Sequence, residues 1–184
     1  MNSDDNSNIE VALRDFLAQV GEDVNREGLT ETPKRFIKQI QECLSGYQDD
    51  PKKHLKFFDS EGYDELVVVR GISFSSICEH HLLPFFGQVD IAYIPGKKIL
   101  GLSKFARVVD AFSKRLQVQE RLTQQLADFL DEQLKPELLL VRVTAAHTCM
   151  IVRGVSRPQS QAETLVVRGD QAGREHLIAQ FNTP

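Results

Sequence analysis

Two short clusters of metal-ligating side chains, Cys78-Glu79-His80-His81 and His147-Thr148-Cys149, lie far apart along this chain of 184 residues. If both serve one ion, the fold must bring these distant stretches together, and that requirement narrows the architecture more than any other feature. Cys78 and His81 have two residues between them, the spacing at which a tight turn lets a thiolate and an imidazole grip one metal. His147 and Cys149 are two apart near the end of a predicted strand. If that strand continues through them, its period of two turns both to one face and makes Cys149 a candidate third ligand. Thiolates with an imidazole suit zinc better than magnesium or calcium, and three protein ligands leave the fourth tetrahedral position to a water that zinc acidifies to a pKa of about 7. His80 and His147 then stand as proton carriers. A closed structural site using His80 or His147 as fourth ligand is a competing reading, as is plain packing of single Cys or His side chains. Cys43 falls on the apolar stripe of a helix, which points to burial, and His54 and His176 show no partner.

The segments around these clusters read as mixed α+β. Ile9, Leu13, Phe16, Leu17 and Val20 recur at helical spacing before Gly21. A second helix follows, with Thr32 as N-cap, Pro33 at its first position and Phe36, Ile37, Ile40, Cys43 and Leu44 as its stripe. Residues 47–64 lose periodicity and read as a connection. Glu65 to Phe74 and Gly87 to Ile94 are β-branched and alternating, which predicts strands, with a turn at Pro95-Gly96-Lys97. Ser103 caps a third helix, and a fourth runs from about Val118 to Leu134 before Pro136. Strand (Leu138 to Ala146), turn or strand (Cys149 to Val155), strand (Glu163 to Arg168) and a short helix (His176 to Phe181) complete the chain. The expected organisation is an N-terminal helical segment and connection over 1–64, then a catalytic region over 65–184 forming one compact unit. Strands, two helices and strands again favour α+β over a doubly wound parallel sheet.

Composition removes several function classes. The longest apolar runs are far below the ~18 residues of a membrane-spanning helix. The acidic, polar first residues are not those of a secretory signal or transit peptide, so a cytoplasmic address is expected. Three cysteines make no disulfide framework. A net charge of −4 argues against a general nucleic-acid binder. A small polyanion is still open to it if cations gather locally. Ser103, Lys104 and Arg107 at a helix start offer backbone donors, a positive dipole end and two cations; their alternative use is a solvated basic face. Arg153 and the Arg35/Lys38 pair add cations if folding or a neighbouring subunit brings them near. Glu120, at the start of the fourth helix, is either a partner of the helix dipole or an acceptor for a donor edge such as that of guanine, with Gln119 assisting.

Taken together, Gly28-Leu29 with Thr32-Pro33-Lys34-Arg35, the block Ser76 to Gly87 around Cys78-Glu79-His80-His81, Ile99 to Lys104, Arg115 to Thr123, and His147-Thr148-Cys149-Met150 with Arg153-Gly154-Val155 resemble the GTP cyclohydrolase I family over roughly Gly21 to Val155. The resemblance implies a tunnelling fold, an antiparallel sheet backed by helices, assembled as a toroidal homodecamer of two pentamers. It implies Zn2+ on Cys78, His81 and Cys149, and water attack at C8 of GTP. His80 would protonate the purine ring nitrogen, and His147 would also transfer protons. Formate loss and rearrangement then give 7,8-dihydroneopterin triphosphate. Glu120 with Gln119 matches the guanine anchor. Ser103, Lys104, Arg107 and Arg153 match residues around ribose and triphosphate, and Arg35 and Lys38 match cations supplied by a neighbouring subunit. After Val155 the family's threonine- and serine-rich strand is not matched. The competing functional readings are a sister enzyme acting on another purine or pterin and a non-catalytic zinc-stabilised binding module.

Overall fold

In a computed structural model, which describes residues 3–170, 172 and 174–182, the segment around Cys78 is a β-hairpin. Strand β2 (Val67–Cys78) runs antiparallel to β3 (Pro84–Ile94), with Ile77 opposite Pro84, so the ligand-bearing residues 79–83 are the turn itself. β6 (Leu138–His147) lies antiparallel on the other side of β3 with His147 opposite Phe85, and β7 (Ala162–Gly169) closes that edge against β6. A two-residue strand, β5 (Leu116–Gln117), joins the end of β2 in parallel, giving the order β5-β2-β3-β6-β7. Antiparallel alternation then puts the end of β2, the start of β3, the end of β6 and the start of β7 at one end of the sheet. Both metal-ligand clusters lie at that end.

The period of two along the strands explains the core. Phe85, Val89, Ile91 and Tyr93 of β3, with Leu139, Val141 and Val143 of β6, meet the apolar stripes of α4 (Leu102–Ser113) and α5 (Gln119–Leu134). Each such side chain fully removed from water contributes about 1.5–3 kcal/mol. The sheet is thus antiparallel over its four long strands and backed by two helices, as expected. β2 and β3 read from sequence are longer than predicted and reach the turn from both sides.

The opposite face carries a smaller cluster of Ala92, Ile94, Leu138 and Leu140 closed by Phe181 from α7 (Glu175–Asn182). Phe181 is 0% exposed. The Arg70 and Arg142 guanidinium carbons lie 5.3 and 4.6 Å from its ring centre, and both side chains donate to its carbonyl. Asp90 accepts from Arg142 at 2.8 Å and from the backbone N–H of Gly71. Gly71 sits at the register shift in β2 with φ +71°, a conformation glycine adopts without a Cβ penalty. Phe181→Ala should lower unfolding stability by about 3–5 kcal/mol, read by denaturant unfolding, because it removes a buried ring and two cation–π contacts together.

The residues read as a connection hold a single-turn 3-10 helix (Pro51–His54) and β1 (Phe57–Asp59), which pairs with β4 (Lys98–Leu100), and a second 3-10 turn (Ser45–Tyr47) leads into them. Three-residue strands are too short to show a period. The segment read as turn or strand from Cys149 begins as a helical turn, α6 (Thr148–Ile151). Chain contacts divide into Met1–Leu44 and Ser45–Pro184. The first unit holds α1 (Ser3–Gln19), α2 (Glu27–Thr30) and α3 (Thr32–Cys43), with α1 against α3. Two caps differ from expectation. Thr32 is already helical and donates to the Gly28 carbonyl, the N-cap being Glu31. Ser103 lies in the first turn of α4, behind Gly101 as N-cap. No helix among the described residues is long and apolar enough to cross a membrane.

Candidate active site

The hairpin turn folds by its own backbone bonds. Cys78 N–H donates to the Leu83 carbonyl at 2.8 Å, and Leu82 N–H returns to the Cys78 carbonyl at 2.8 Å. Leu82 takes φ +53° to close the turn. The result brings Cys78 Sγ to 3.8 Å from His81 Nδ1. Cys149 arrives from α6, not from a strand. β6 stops at His147, and Thr148 Oγ1 donates to the Pro84 carbonyl at 2.5 Å, tying the first residue of α6 to the start of β3. The same-face argument for His147 and Cys149 therefore fails, yet its outcome, Cys149 beside the hairpin, holds.

The ligand atoms of Cys78, His81 and Cys149 all lie within 4.8 Å of one another, the one such group among the described residues. A tetrahedral zinc with Zn–S near 2.3 Å and Zn–N near 2.0 Å needs its donors about 3.5–3.8 Å apart, so small side-chain movements suffice. The donor set of two sulfurs and one imidazole also suits a borderline-soft ion. Burial, and then the facing Cys78, push the Cys149 thiol above its ordinary range. A cation between the two sulfurs reverses that preference by favouring thiolates.

His147 flanks this group at the end of β6. Its ring stacks on Phe85, 4.7 Å between centres and 3° between planes, and its Nε2 lies 2.8 Å from Gln119 Oε1. Burial holds its pKa below the usual imidazole range, against an opposing pull from Glu120. Glu120 itself is exposed in the first turn of α5. Gln119, expected to assist it at a donor edge, is instead only 2% exposed, and its amide is bonded inside the protein. His80 is exposed on the turn beside His81 and is not among the three grouped ligands. Sequence reasoning gave no role to Glu79 or Arg121, yet the Arg121 guanidinium donates two bonds, 2.6 and 2.8 Å, to the Glu79 carboxylate. That pair fastens the turn to α5 next to Glu120 and holds the Glu79 carboxyl below its ordinary range. The only sequence signal for it is that each residue adjoins one already singled out.

The cations are distributed less uniformly. Arg153 is exposed and donates to the Cys149 carbonyl at 3.3 Å, so it sits beside the grouped ligands. Ser103 and Arg107 are exposed and Lys104 half-buried on the first turns of α4. Arg107 lines a cavity of about 300 Å³ with Asp49, His54, Asp110 and Lys114. His54, which showed no partner in the sequence, bonds Asp49 through Nε2 at 2.7 Å. Arg35 and Lys38 are exposed on α3, in the first unit. Cys43 is half-buried.

The family model described as GTP cyclohydrolase I matches residues 9–183. The match thus continues through β7 and α7, past the point where the recognisable motifs end. A GTP cyclohydrolase 1 of Bacillus pumilus (strain SAFR-032) is 48% identical over 176 residues, covering 93% of each chain. That of Bacillus subtilis (strain 168) is 47% identical over 175 residues, 92% of each chain. That of Streptococcus mutans serotype c is 46% identical over 183 residues, 97% of this chain and 95% of the relative. Among solved structures, the apo form of an archaeosine synthase described as QueF-Like aligns at a TM-score of 0.46 and 20% identity, over 57% of this chain and 94% of that one.

Proposed function

The chain belongs to the GTP cyclohydrolase I family, and from that premise we propose that Cys78, His81 and Cys149 hold a zinc ion at which the purine of GTP is opened between C8 and its ring nitrogen. The observation that carries this reading is the convergence of two thiols and one imidazole from distant stretches within 4.8 Å, beside a second, stacked imidazole. Zinc, when bound, supplies a Lewis acid that makes hydroxide available at neutral pH. Everything else is work for the chain's own side chains. Exposed Glu120 accepts from guanine N1–H and the exocyclic amine, a pairing that fixes the base by its donor edge. His80 protonates the purine ring nitrogen as water adds at C8, and His147 exchanges protons in the steps that release formate. Ser103, Lys104, Arg107 and Arg153 take the ribose and triphosphate, which answers how a chain of net charge −4 binds a tetra-anion. Rearrangement and reclosure give 7,8-dihydroneopterin triphosphate.

The assembly proposed is a toroidal homodecamer, in which Arg35 and Lys38 reach a neighbouring subunit's triphosphate. Their exposure on α3 supports this. The proposed compartment is the cytoplasm, supported by a site that needs its thiols reduced.

Incubating zinc-loaded protein with GTP should release formate and yield a pterin that fluoresces after oxidation. Neither product from metal-replete protein would defeat the reading, and turnover of another nucleoside triphosphate or a pterin in place of GTP would redirect it to a sister activity. Sedimentation should give a particle of ten 20.8 kDa chains. A stable monomer with full activity would refute the shared site.

A further inference from the structure

We infer that Gln119 is a positioning residue which holds His147 as the Nε2-protonated tautomer and so makes Nδ1 the atom through which that ring exchanges protons; the inference rests on the proposed proton-transfer role of His147. The position of each hydrogen follows by elimination. Gln119 Nε2 lies 2.9 Å from the Val143 carbonyl and 3.0 Å from the Ala162 carbonyl. Backbone carbonyls only accept, so the amide atom facing both must be the NH2, and the orientation of the amide is decided by the protein around it. The other end of the amide, the oxygen, faces His147 Nε2 at 2.8 Å. That oxygen can only accept, which leaves His147 Nε2 as the donor.

The hydroxyls nearby fall in the same order. Thr123 Oγ1 donates to the Gln119 carbonyl at 2.8 Å. In the 2.6 Å contact between Thr123 and Thr164, the Thr164 hydroxyl must therefore be the donor. Its lone pairs face Gln119 Nε2 at 3.2 Å, where they share a hydrogen with one of the two carbonyls, the amide having only two to give. The donor is thus set at every contact: Thr164 to Thr123, Thr123 to the Gln119 backbone carbonyl, the Gln119 NH2 to the carbonyls of Val143 and Ala162, and His147 Nε2 to the Gln119 amide oxygen, with that amide buried where water cannot compete. Phe85, stacked on the ring, fixes its plane.

The chemical consequence concerns both charge states. When Nδ1 takes a proton the ring becomes imidazolium, and Nε2–H still donates to the same amide oxygen. The ring then accepts and returns a proton at one atom without turning, which keeps its reach to a substrate constant. The closing strand β7, although it carries no ligand, enters the site through Ala162 and Thr164.

The test is solid-state 15N NMR on the full-length, zinc-loaded protein labelled with 15N-histidine. There are five histidines, and the His147 pair is assigned by its loss in His147→Ala. At about pH 8, where an ordinary imidazole is neutral, His147 should show a protonated Nε2 and a bare Nδ1. In Gln119→Met the Nδ1-protonated form should appear alongside, with kcat down about tenfold or more and KM for GTP within about threefold. A wild-type His147 protonated at Nδ1 with bare Nε2 overturns the inference, and that spectrum decides it even if the variant does not fold. An unchanged His147 spectrum in Gln119→Met also overturns it. A released tautomer with kcat intact instead overturns the proton-transfer role of His147 itself, and the catalytic half of the inference with it.

Discussion

Cys149→Ser should lose its zinc and its turnover together. The three grouped donors come from two sources, the hairpin turn with Cys78 and His81 and the helical turn with Cys149. Removing the second source leaves a thiolate and an imidazole three residues apart, half of a tetrahedral shell. A serine hydroxyl does not replace the lost sulfur, because it stays protonated near neutrality and is a poor ligand for this ion. The fold should scarcely notice. Cys149 is half-buried at the start of a one-turn helix, and that turn is tied to β3 through Thr148 rather than through the thiol. Circular dichroism should therefore match the wild type, while elemental analysis finds less than about a tenth of the metal per chain. Turnover of GTP should fall at least ~10³-fold, the scale expected when water is no longer activated. A variant that keeps both metal and wild-type activity would show that Cys149 is not a ligand.

The site was partly legible in the sequence, for reasons that vary from residue to residue. Cys78 and His81 could be paired because their grouping is local and a turn decides it. The strands on either side were legible because β-branched alternation reports a half-buried surface over several residues, whereas β1 and β4 have only three residues each and no period to read. Cys149 was reached by a wrong route. The strand period was carried past His147, where hydrogen bonding to β3 stops and the chain turns into α6. The sequence places Gln119 beside Glu120, as its assistant at a donor edge. Its actual partners, Val143, Ala162 and Thr164, are between 24 and 45 residues away, and no local pattern announces them. The Glu79–Arg121 pair spans 42 residues and is hidden for the same reason. α7 was expected as a short helix, but its capture by Arg70 and Arg142 depends on three segments meeting on the far face of the sheet.

His80→Ala should separate proton delivery from metal holding. The two histidines of the turn are neighbours in sequence but not in use. His81 Nδ1 is 3.8 Å from Cys78 Sγ, while the His80 ring stands edge-on to that of His81, their centres 6.2 Å apart, and is 64% exposed. His81 is exposed as well, so it is the closeness of its Nδ1 to Cys78, and not exposure, that separates the two rings. The charged group beside His80 among the described residues, the Glu79 carboxylate at 3.9 Å, is already engaged by both terminal nitrogens of Arg121, so His80 is not needed to neutralise it. Deleting the imidazole should leave the three ligand atoms, the hairpin bonds and the Glu79–Arg121 clamp in place. Zinc content should stay at the wild-type level. kcat should drop about 10²- to 10⁴-fold, the usual worth of a positioned acid–base group. Binding of GTP should change little, because Glu120 and the cations of α4 remain. Loss of zinc along with activity would make His80 a fourth ligand and the site a closed one. Retention of both would leave protonation of the purine to another group, with His147 the next to substitute.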